Sequence, residues 1–311
     1  MATKSIKYNC TEEDEGLTIK AILLNRLNFS VKLLTKVKYH GDILLNGNHV
    51  TVRQKVWPND EVVVEYPEEE SWFEPQNIPI DVRYEDDDIM LVNKAPGLIV
   101  HPTYNFPNGT LANAITYHMQ QRGEVYKLRF VNRLDMNTSG LVIIAKNAHA
   151  QDSISNQMQA NTTVKQYIAI VHGIMEGKGT IDAPIDRDPN HKARRFVIET
   201  GYPSVTHWEV LDTHECSGRG QIDGYSMLRL KLDTGRTHQI RVHLTHIGHP
   251  IVGDELYGQL FGYELGTDLM DRQALHAAHT EVDHPVSGER ICVDAPLPDD
   301  MNKCWEYIKT L

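Results

Sequence analysis

Short β-type segments dominate the chain after residue 80 and limit the folds that it can adopt. They are separated by clusters of Gly, Asn, Asp and Pro, a pattern that predicts strands joined by turns. Two segments, 148–158 and 239–247, instead show helical spacing, and Gly248 and Pro250 end the second. We therefore predict an α+β core with a largely antiparallel mixed sheet flanked by helices. The predicted strands are 89–92, 141–145, 167–171, 205–211, 227–232 and 278–282.

The first 70 residues have a different pattern and predict a separate small α/β module. Residues 17–40 read as two short helices, with Ser30 as a candidate N-cap of the second. Residues 43–52 read as a hairpin around Asn-Gly, and 60–64 as a further strand. An acidic, Pro-containing stretch follows, with the composition of a linker. We expect a module at 13–70, a linker at 71–80 and a large domain at 81–311.

Charge is distributed unevenly along this chain of 311 residues. The formal net charge is −11, yet residues 20–55 contain seven Lys or Arg residues and a single acid, a local excess of +6. A local basic face can bind nucleic-acid phosphates, although a solvated helix face has the same composition. The loop DRDPNHKARR at 186–195 is a second basic segment with the same two interpretations. The candidate phosphate-binding residues are Lys32, Lys36, Lys38, Arg53, Arg187 and Lys192.

Cysteine and histidine usage argues against a metal or disulfide scaffold. The four cysteines lie far apart and include no C-x-x-C pair. His238, His243, His246 and His249 cluster in sequence, but no H-E-x-x-H pattern completes a zinc set. The chain shows neither a signal-peptide pattern nor an apolar run long enough to span a bilayer. We expect a cytoplasmic protein with no bound metal and no membrane contact.

The segment RLDMNTSG at 133–140 leads directly into the predicted strand 141–145. Asp135 therefore lies on a loop that the strands hold in place, where a carboxylate can act as a nucleophile or a general base. An Asx turn, in which these residues bond only their own backbone, is the commoner role for such a sequence. The residues of this segment alone leave both interpretations open.

A second long segment, LDTGRTHQIRVH at 232–243, passes from a strand through a turn into a helix. Arg236 lies near the start of that helix, where it could pair with a catalytic carboxylate, bind phosphate or form an ordinary structural ion pair. Tyr167 opens an alternating strand. It could be a core residue, stack on a flipped base or relay a proton.

Together these segments resemble the RluA family of pseudouridine synthases over nearly the whole chain. The segment 133–140 is similar to the family signature around its catalytic Asp, and 232–243 to its second motif. NKAPG at 93–97, KQYIAIVHG at 165–173, GDELYG at 253–258 and RQALHA at 272–277 are similar to further family segments. Residues 13–70 resemble the ribosomal-protein-S-four-type RNA-binding domain. One departure is Asn132, where the family commonly has His.

The resemblance implies that the protein isomerises uridine in RNA to pseudouridine without a cofactor. Asp135 would be the catalytic carboxylate, Arg236 its ion partner, Tyr167 a stacking residue beneath the uracil, and Arg133 would fill the space that the flipped base leaves. The RNA would be ribosomal or transfer RNA, and the enzyme a monomer. Two alternatives are a non-catalytic RNA-binding or ribosome-assembly factor on the same fold, and a metal hydrolase that uses the histidines.

Overall fold

The computed structural model describes residues 3–67, 73–219, 222–261 and 269–311. Within these ranges no helix is both long and apolar enough to cross a bilayer. The strands are β1 (Thr3–Asn9), β2 (Asp42–Leu45), β3 (Asn48–His49), β4 (Glu61–Pro67), β5 (Asp81–Glu85), β6 (Ile89–Lys94), β7 (Arg129–Phe130), β8 (Ser139–Ala145), β9 (Val164–His172), β10 (Lys178–Asp182), β11 (Ile185–Arg187), β12 (Arg195–Val197), β13 (Val205–Arg219), β14 (Ile222–Leu232), β15 (Leu275–Asp283) and β16 (Arg290–Asp294). The α-helices are α1 (Ile19–Asn25), α2 (Val31–His40), α3 (Leu111–Arg122), α4 (Ala148–Gln159), α5 (Gln239–His246), α6 (Glu255–Gly258) and α7 (Asp299–Ile308).

The large domain is built on a ten-stranded mixed sheet. Its main strand order is β10-β13-β14-β9-β15-β8-β6-β5, with β16 paired to β15 and β7 to β8. The β8–β15 pair is parallel, whereas the other pairs described in this sheet are antiparallel. The prediction of an α+β fold with a largely antiparallel mixed sheet is confirmed. The helical patterns at 148–158 and 239–247 correspond to α4 and α5.

Helices α3 and α7 were not predicted from the sequence. The segment that forms α3 mixes small, polar and aromatic residues, so its apolar face is weakly marked. Its ends carry clearer signals, since the Thr110 side chain caps the first turn and Gly123 adopts a left-handed conformation at the last. A search for end signals, and not for apolar spacing alone, would have indicated α3.

Strands β6 and β8 are buried on both faces, which explains their continuous apolar sequences. Ile89 and Leu91 of β6 pack with Ile154 of α4 on one face. Met90 and Val92, which alternate with them, pack with α3 on the other. A strand covered by helices on both sides has no polar face to present to water. The loop that carries Asp135 thus precedes a strand that is buried on both faces.

The N-terminal module contains a four-stranded antiparallel sheet in the order β1-β4-β2-β3, together with α1 and α2. Ser30 accepts a hydrogen bond from the Leu33 backbone N–H at 3.0 Å, which confirms it as the N-cap of α2. Asn46 and Gly47 both have positive φ, as the hairpin turn between β2 and β3 requires. Strand β1 extends this sheet ahead of the expected boundary at residue 13.

Helix α4 connects this module to the large domain. The Tyr66 hydroxyl of the module donates to Asn147 Oδ1 at 3.2 Å, at the N-cap of α4. The rings of Phe29 and His149 lie 4.9 Å apart at their centroids. At its other end, α4 contributes Gln159 to the large cleft described below. A single helix therefore links the module to the cleft.

The expected linker at 71–80 is described from residue 73 onward, and residues 71 and 72 lie outside the described ranges. Residues 73–80 have no regular secondary structure. They nevertheless pack on the large domain, because Gln76 N donates to Asn113 O at 3.1 Å and Asn113 Nδ2 donates to Glu74 O at 2.9 Å. This part of the segment lies along α3 and does not project into solvent as a free tether.

Candidate active site

A cleft with a volume of about 900 Å³ opens where β9, the end of β14 and the loop 131–135 meet the β11–β12 hairpin. Four residues to which the family resemblance gives a role, Arg133, Asp135, Tyr167 and Arg236, all line this cleft. Arg187 also lines it, whereas Lys192 is exposed on the turn of the hairpin. The N-terminal module contains four of the predicted phosphate-binding residues. Lys32, Lys38 and Arg53 are exposed, and Lys36 is half-buried.

The loop that carries Asp135 is held by backbone contacts from distant parts of the chain. Thr138 N donates to Asp135 O at 3.1 Å, which closes a turn. Lys94 Nζ donates to Met136 O at 2.9 Å, and Arg272 Nη1 donates to Asn137 O at 3.1 Å. These two cations lie in the family-like segments 93–97 and 272–277. Those segments therefore fix the positions of carbonyl groups in the Asp135 loop.

The end of the loop is held in the same way. Gln273 Nε2 donates to Thr138 Oγ1 at 3.2 Å, and Ser139 Oγ lies 2.9 Å from His276 Nδ1. Gly140 has φ +111°, and a Cβ there would lie 2.2 Å from the Ala277 carbonyl oxygen. The parallel approach of β8 to β15 therefore requires glycine at residue 140.

Lys94 is unusual because its ammonium group is almost completely buried, at 1% relative exposure. Burial, together with the positive charge of Arg272, lowers the pKa of Lys94 to about 7, and Asp135 offsets part of this effect. Its amine donates to the carbonyls of Ala95 and Met136, both at 2.9 Å. The side chain serves the loop as a buried donor next to Asp135.

The ion partner of Asp135 is Arg241, and the prediction that Arg236 fills this role was wrong. Arg241 Nη1 donates to Asp135 Oδ2 at 2.9 Å, and its Nε and Nη2 bind Asp254 at 2.7 and 2.8 Å. Burial disfavours the charge on Arg241, but Asp254 and then Asp135 outweigh it, and the pKa of the guanidinium is raised. Arg236 instead donates from Nε to Pro203 O at 3.3 Å.

Helix geometry explains the difference between the two arginines. Arg236 lies in the turn ahead of α5, exposed at the cleft, with its guanidinium 5.4 Å from the centre of the Tyr202 ring. Arg241 lies within α5, where every residue from Gln239 to Thr245 is buried. An arginine in a buried helix requires carboxylate partners. That requirement is a sequence signal that would have identified Arg241.

His238, which was considered above only as a member of the histidine cluster, is a second residue near Asp135. Its Nε2 lies 3.8 Å from Asp135 Oδ2, and its Nδ1 lies 2.9 Å from the Tyr257 hydroxyl. Burial is the largest influence on the imidazole and lowers the pKa of His238. The ring is therefore neutral near pH 7 and offers one donor and one acceptor.

Tyr167 lies on β9 and forms part of the cleft wall. Burial, with a further contribution from the charge of Asp135, raises the pKa of Tyr167 to about 12. The phenol consequently remains protonated at neutral pH. A protonated phenol cannot readily accept a proton. This environment therefore favours packing of Tyr167 against the uracil ring over a role as a general base.

Asn132, the departure from the family pattern, connects the catalytic loop to β8. Its Oδ1 accepts from Ile143 N at 2.7 Å, and its Nδ2 donates to Leu141 O at 3.2 Å. One amide thereby satisfies an N–H and a carbonyl of the strand, using the donor and acceptor that Asn carries together. In this chain residue 132 has a structural role beside the loop.

The histidines considered as metal ligands have other partners. His243 contacts Thr206 Oγ1 at 2.8 Å and Ala183 O at 2.9 Å, and His249 Nδ1 lies 2.9 Å from His172 O. Among the described residues, a different set, Asp86, Asp88 and His284, brings its carboxylate and imidazole atoms within 4.8 Å of one another. Within this group, His284 Nε2 lies 3.0 Å from Asp86 Oδ2, and His284 Nδ1 accepts a hydrogen bond from Ser287 N at 3.0 Å.

Comparison with known proteins identifies the family. Residues 88–246 match the family model described as RNA pseudouridylate synthase. Ribosomal large subunit pseudouridine synthase D of Haemophilus ducreyi is 38% identical over 286 residues, which cover 88% of this chain and 86% of that protein. The uncharacterised RNA pseudouridine synthase YhcT of Bacillus subtilis is 38% identical over 307 residues, 98% of each chain.

The fold agrees with this result. The structure of human RNA pseudouridylate synthase domain containing 1 superimposes with a TM-score of 0.58 at 28% identity, over 75% of this chain and 90% of that one. The family match spans the Asp135 loop, β9, the β11–β12 hairpin, the end of β14 and the turn ahead of α5, all of which line the cleft. The chain therefore belongs to the RNA pseudouridylate synthase family and is an isomerase that acts on uridine in RNA.

Proposed function

We propose that this enzyme converts specific uridines of large-subunit ribosomal RNA to pseudouridine, with Asp135 as its catalytic carboxylate. The observation that carries the proposal is the ion pair of Asp135 with Arg241 at the floor of the cleft. The printed names of several relatives, ribosomal large subunit pseudouridine synthase D, support ribosomal RNA as the substrate class. Transfer RNA is the second candidate substrate.

Asp135 is suited to attack the ribose or to assist departure of the base. Arg241 occupies its Oδ2, and among the described residues no donor is bonded to its Oδ1. Because the guanidinium is also held by Asp254, it fixes the orientation of the carboxylate. Asp135 is partly exposed, with 27% of its side-chain surface open to the cleft. One carboxylate oxygen is thus free for the substrate.

A uridine in an RNA helix must leave its stack to reach this carboxylate. The volume of the cleft is in the range that encloses a small ligand. Tyr167 is placed to pack against the uracil ring, and exposed Arg133 at the opening is placed to occupy the space that the base vacates. Arg187, Arg195 and Arg236 line the same cleft and supply positive charge for the flanking phosphates.

The N-terminal module acts in this proposal as a ribosomal-protein-S-four-type RNA-binding domain. Lys32 and Lys38 lie exposed on α2, which also contains Lys36, and Arg53 lies exposed beyond β3. Their shared sign and exposure suit phosphate binding without sequence selection. Contact of the module with α4 would place RNA bound there at a defined distance from the cleft. We further propose that the enzyme acts as a monomer in the cytoplasm and needs no cofactor.

Pseudouridine mapping tests the proposal. Total RNA from cells with and without the gene is sequenced for pseudouridine, and we expect one or more large-subunit ribosomal sites to disappear. Purified enzyme should then release tritium from 5-tritiated ribosomal RNA that lacks the modification. If pseudouridine disappeared only from transfer RNA, then transfer RNA, and not ribosomal RNA, would be the substrate. If no pseudouridine disappeared and the purified enzyme released no tritium, the protein would instead be a non-catalytic RNA-binding factor.

A further inference from the structure

His238 has a strained backbone directly beside the catalytic carboxylate. Its φ and ψ are 59° and 17°, a left-handed conformation that is uncommon for a residue other than glycine. The conformation points the imidazole into the cleft, where 17% of the side chain is exposed and Nε2 lies 3.8 Å from Asp135 Oδ2. Backbone strain of this kind persists where the surrounding structure holds it, and it is concentrated at functional sites.

Tyr257 determines which imidazole nitrogen carries the proton. Its hydroxyl oxygen accepts a hydrogen bond from Arg195 N at 2.9 Å and lies 2.9 Å from His238 Nδ1. Burial raises the pKa of Tyr257 to about 12, so the phenol keeps its proton. A buried hydroxyl that already accepts one hydrogen bond has its own proton left to donate, and Nδ1 is the acceptor in reach. The neutral ring then carries its proton on Nε2.

His238 lines the cleft, so its Nε2–H group is available to a substrate bound there. The distance of 3.8 Å to Asp135 Oδ2 is too long for a hydrogen bond, and Arg241 already donates to that oxygen. A carboxylate that acts on the ribose lies near carbon 1′, and the carbonyl oxygen O2 of uracil is adjacent to the bond from carbon 1′ to N1. A donor beside the carboxylate is therefore close to O2.

Given the proposed function, we infer that His238 donates a hydrogen bond from Nε2 to uracil O2 and that Tyr257 is the positioning residue that holds this tautomer. When the bond from carbon 1′ to N1 breaks, its electron pair passes to the uracil, and O2 gains negative charge. The donor stabilises that charge, and no proton is transferred. A fixed donor aimed at developing charge acts on the rate of the chemical step more than on binding.

The test combines His238→Ala with changes to the base. The substrate is a synthetic RNA stem-loop around a mapped target uridine, 5-tritiated and carrying uridine, 2-thiouridine or 4-thiouridine at that position. On uridine, His238→Ala should slow single-turnover tritium release about 100-fold. On 2-thiouridine, whose sulfur is a weak acceptor, the same substitution should cost less than about threefold, whereas on 4-thiouridine the full effect should remain.

Equal effects of His238→Ala on all three substrates would overturn the inference, and loss of the effect on 4-thiouridine alone would reassign the donor to O4. Wild-type enzyme without tritium release would overturn the proposed function as well, so the two failures are distinguishable.

Two further variants separate the donor from the fold. His238→Gln retains an N–H donor and should recover part of the rate lost in His238→Ala. Tyr257→Phe removes the hydrogen bond that fixes the tautomer of His238. It should slow the chemical step about tenfold and leave the RNA dissociation constant within about twofold of wild type. Circular dichroism melting curves verify that each variant is folded. A Tyr257→Phe rate equal to wild type would contradict the role of the hydroxyl.

Discussion

The N-terminal module and the large domain each contain an aspartate paired with an arginine, but the two carboxylates have different roles. Asp14 of the N-terminal module is completely buried. Its Oδ1 accepts from Arg26 Nε at 2.8 Å, and its Oδ2 accepts from the Tyr8 hydroxyl at 2.7 Å and from Thr11 N at 2.9 Å. Both oxygens are satisfied by the protein.

Asp135 of the large domain is paired through one oxygen and partly open to the cleft. The contrast shows how the number of protein donors separates a structural carboxylate from a reactive one. A buried carboxylate with a full set of donors stabilises the fold, since removing any partner leaves a polar group unsatisfied. A carboxylate with one oxygen unbonded can bind and act on a substrate.

The largest effect should come from Asp135→Asn. The amide cannot act as a nucleophile or as a base, so tritium release should fall by about 10⁴-fold or more. Because Asp135 is partly exposed and forms one ion pair, the free energy of unfolding should change by less than about 1 kcal/mol. Turnover near the wild-type rate would exclude Asp135 as the catalytic residue.

Arg241→Gln and Arg236→Gln form a matched pair within one motif. Arg241→Gln leaves Asp254 buried without its ion partner, so the free energy of unfolding should fall by about 3–5 kcal/mol and the rate by about 100-fold. Arg236→Gln should change the unfolding free energy by less than about 0.5 kcal/mol and mainly weaken RNA affinity. Urea unfolding and single-turnover kinetics measure both. Equal losses for the two variants would contradict the assignment of Arg241.

Asp14→Asn should reduce stability and spare the chemical step. The amide retains one acceptor but loses the charge beside Arg26, so the unfolding free energy should fall by about 2–3 kcal/mol in urea titrations. Glu13→Gln is the control, because this exposed neighbour also contacts Arg26, at 3.1 Å, and should change stability by less than about 0.5 kcal/mol. A larger loss of single-turnover rate than of stability would contradict a structural role.

The pH dependence of stability should follow the same carboxyl group. Burial opposes ionisation of Asp14, but hydrogen bonds from Thr11, Tyr8 and Arg26 outweigh it and lower the pKa to about 2. Because the folded-state pKa lies below the ordinary value near 4, the stabilisation is complete above that value and is lost as pH falls toward 2. The stability difference between wild type and Asp14→Asn should therefore shrink between about pH 4 and pH 2.

The smallest effect should come from the exposed cations of the N-terminal module. Replacing Lys32, Lys38 and Arg53 together with Gln should weaken binding to ribosomal RNA and flatten the salt dependence, by a slope of up to about 0.9 for each lost phosphate contact. The single-turnover rate at saturating RNA should remain unchanged. Lys309→Gln, on the exposed C-terminal end of the chain, is the control and should alter neither quantity. An unchanged salt slope in the triple variant would exclude this face as an RNA contact.

Much of the fold could be predicted because its signals are local. Alternation and turn residues indicated the main strands, and Ser30 and Asn46 marked a helix start and a hairpin through short-range hydrogen bonds and dihedral preferences. Helix α7 was missed although Met301, Cys304, Trp305 and Ile308 have the spacing of one helix face, which is a local signal. Strand β1 was missed because its pairing partner, β4, is distant in sequence. Local patterns do not encode such partners.

The sequence by itself determined that a carboxylate, Asp135, lies on a loop before a buried strand, within a family-like segment. Only the tertiary structure decided which arginine reaches it, because Asp135 and Arg241 are 106 positions apart and nothing in their local spacing specifies the direction of either side chain. The same holds for His238, whose tautomer depends on Tyr257 from a different helix. Residue identity is local, whereas the partner of a charged group depends on how the whole chain packs.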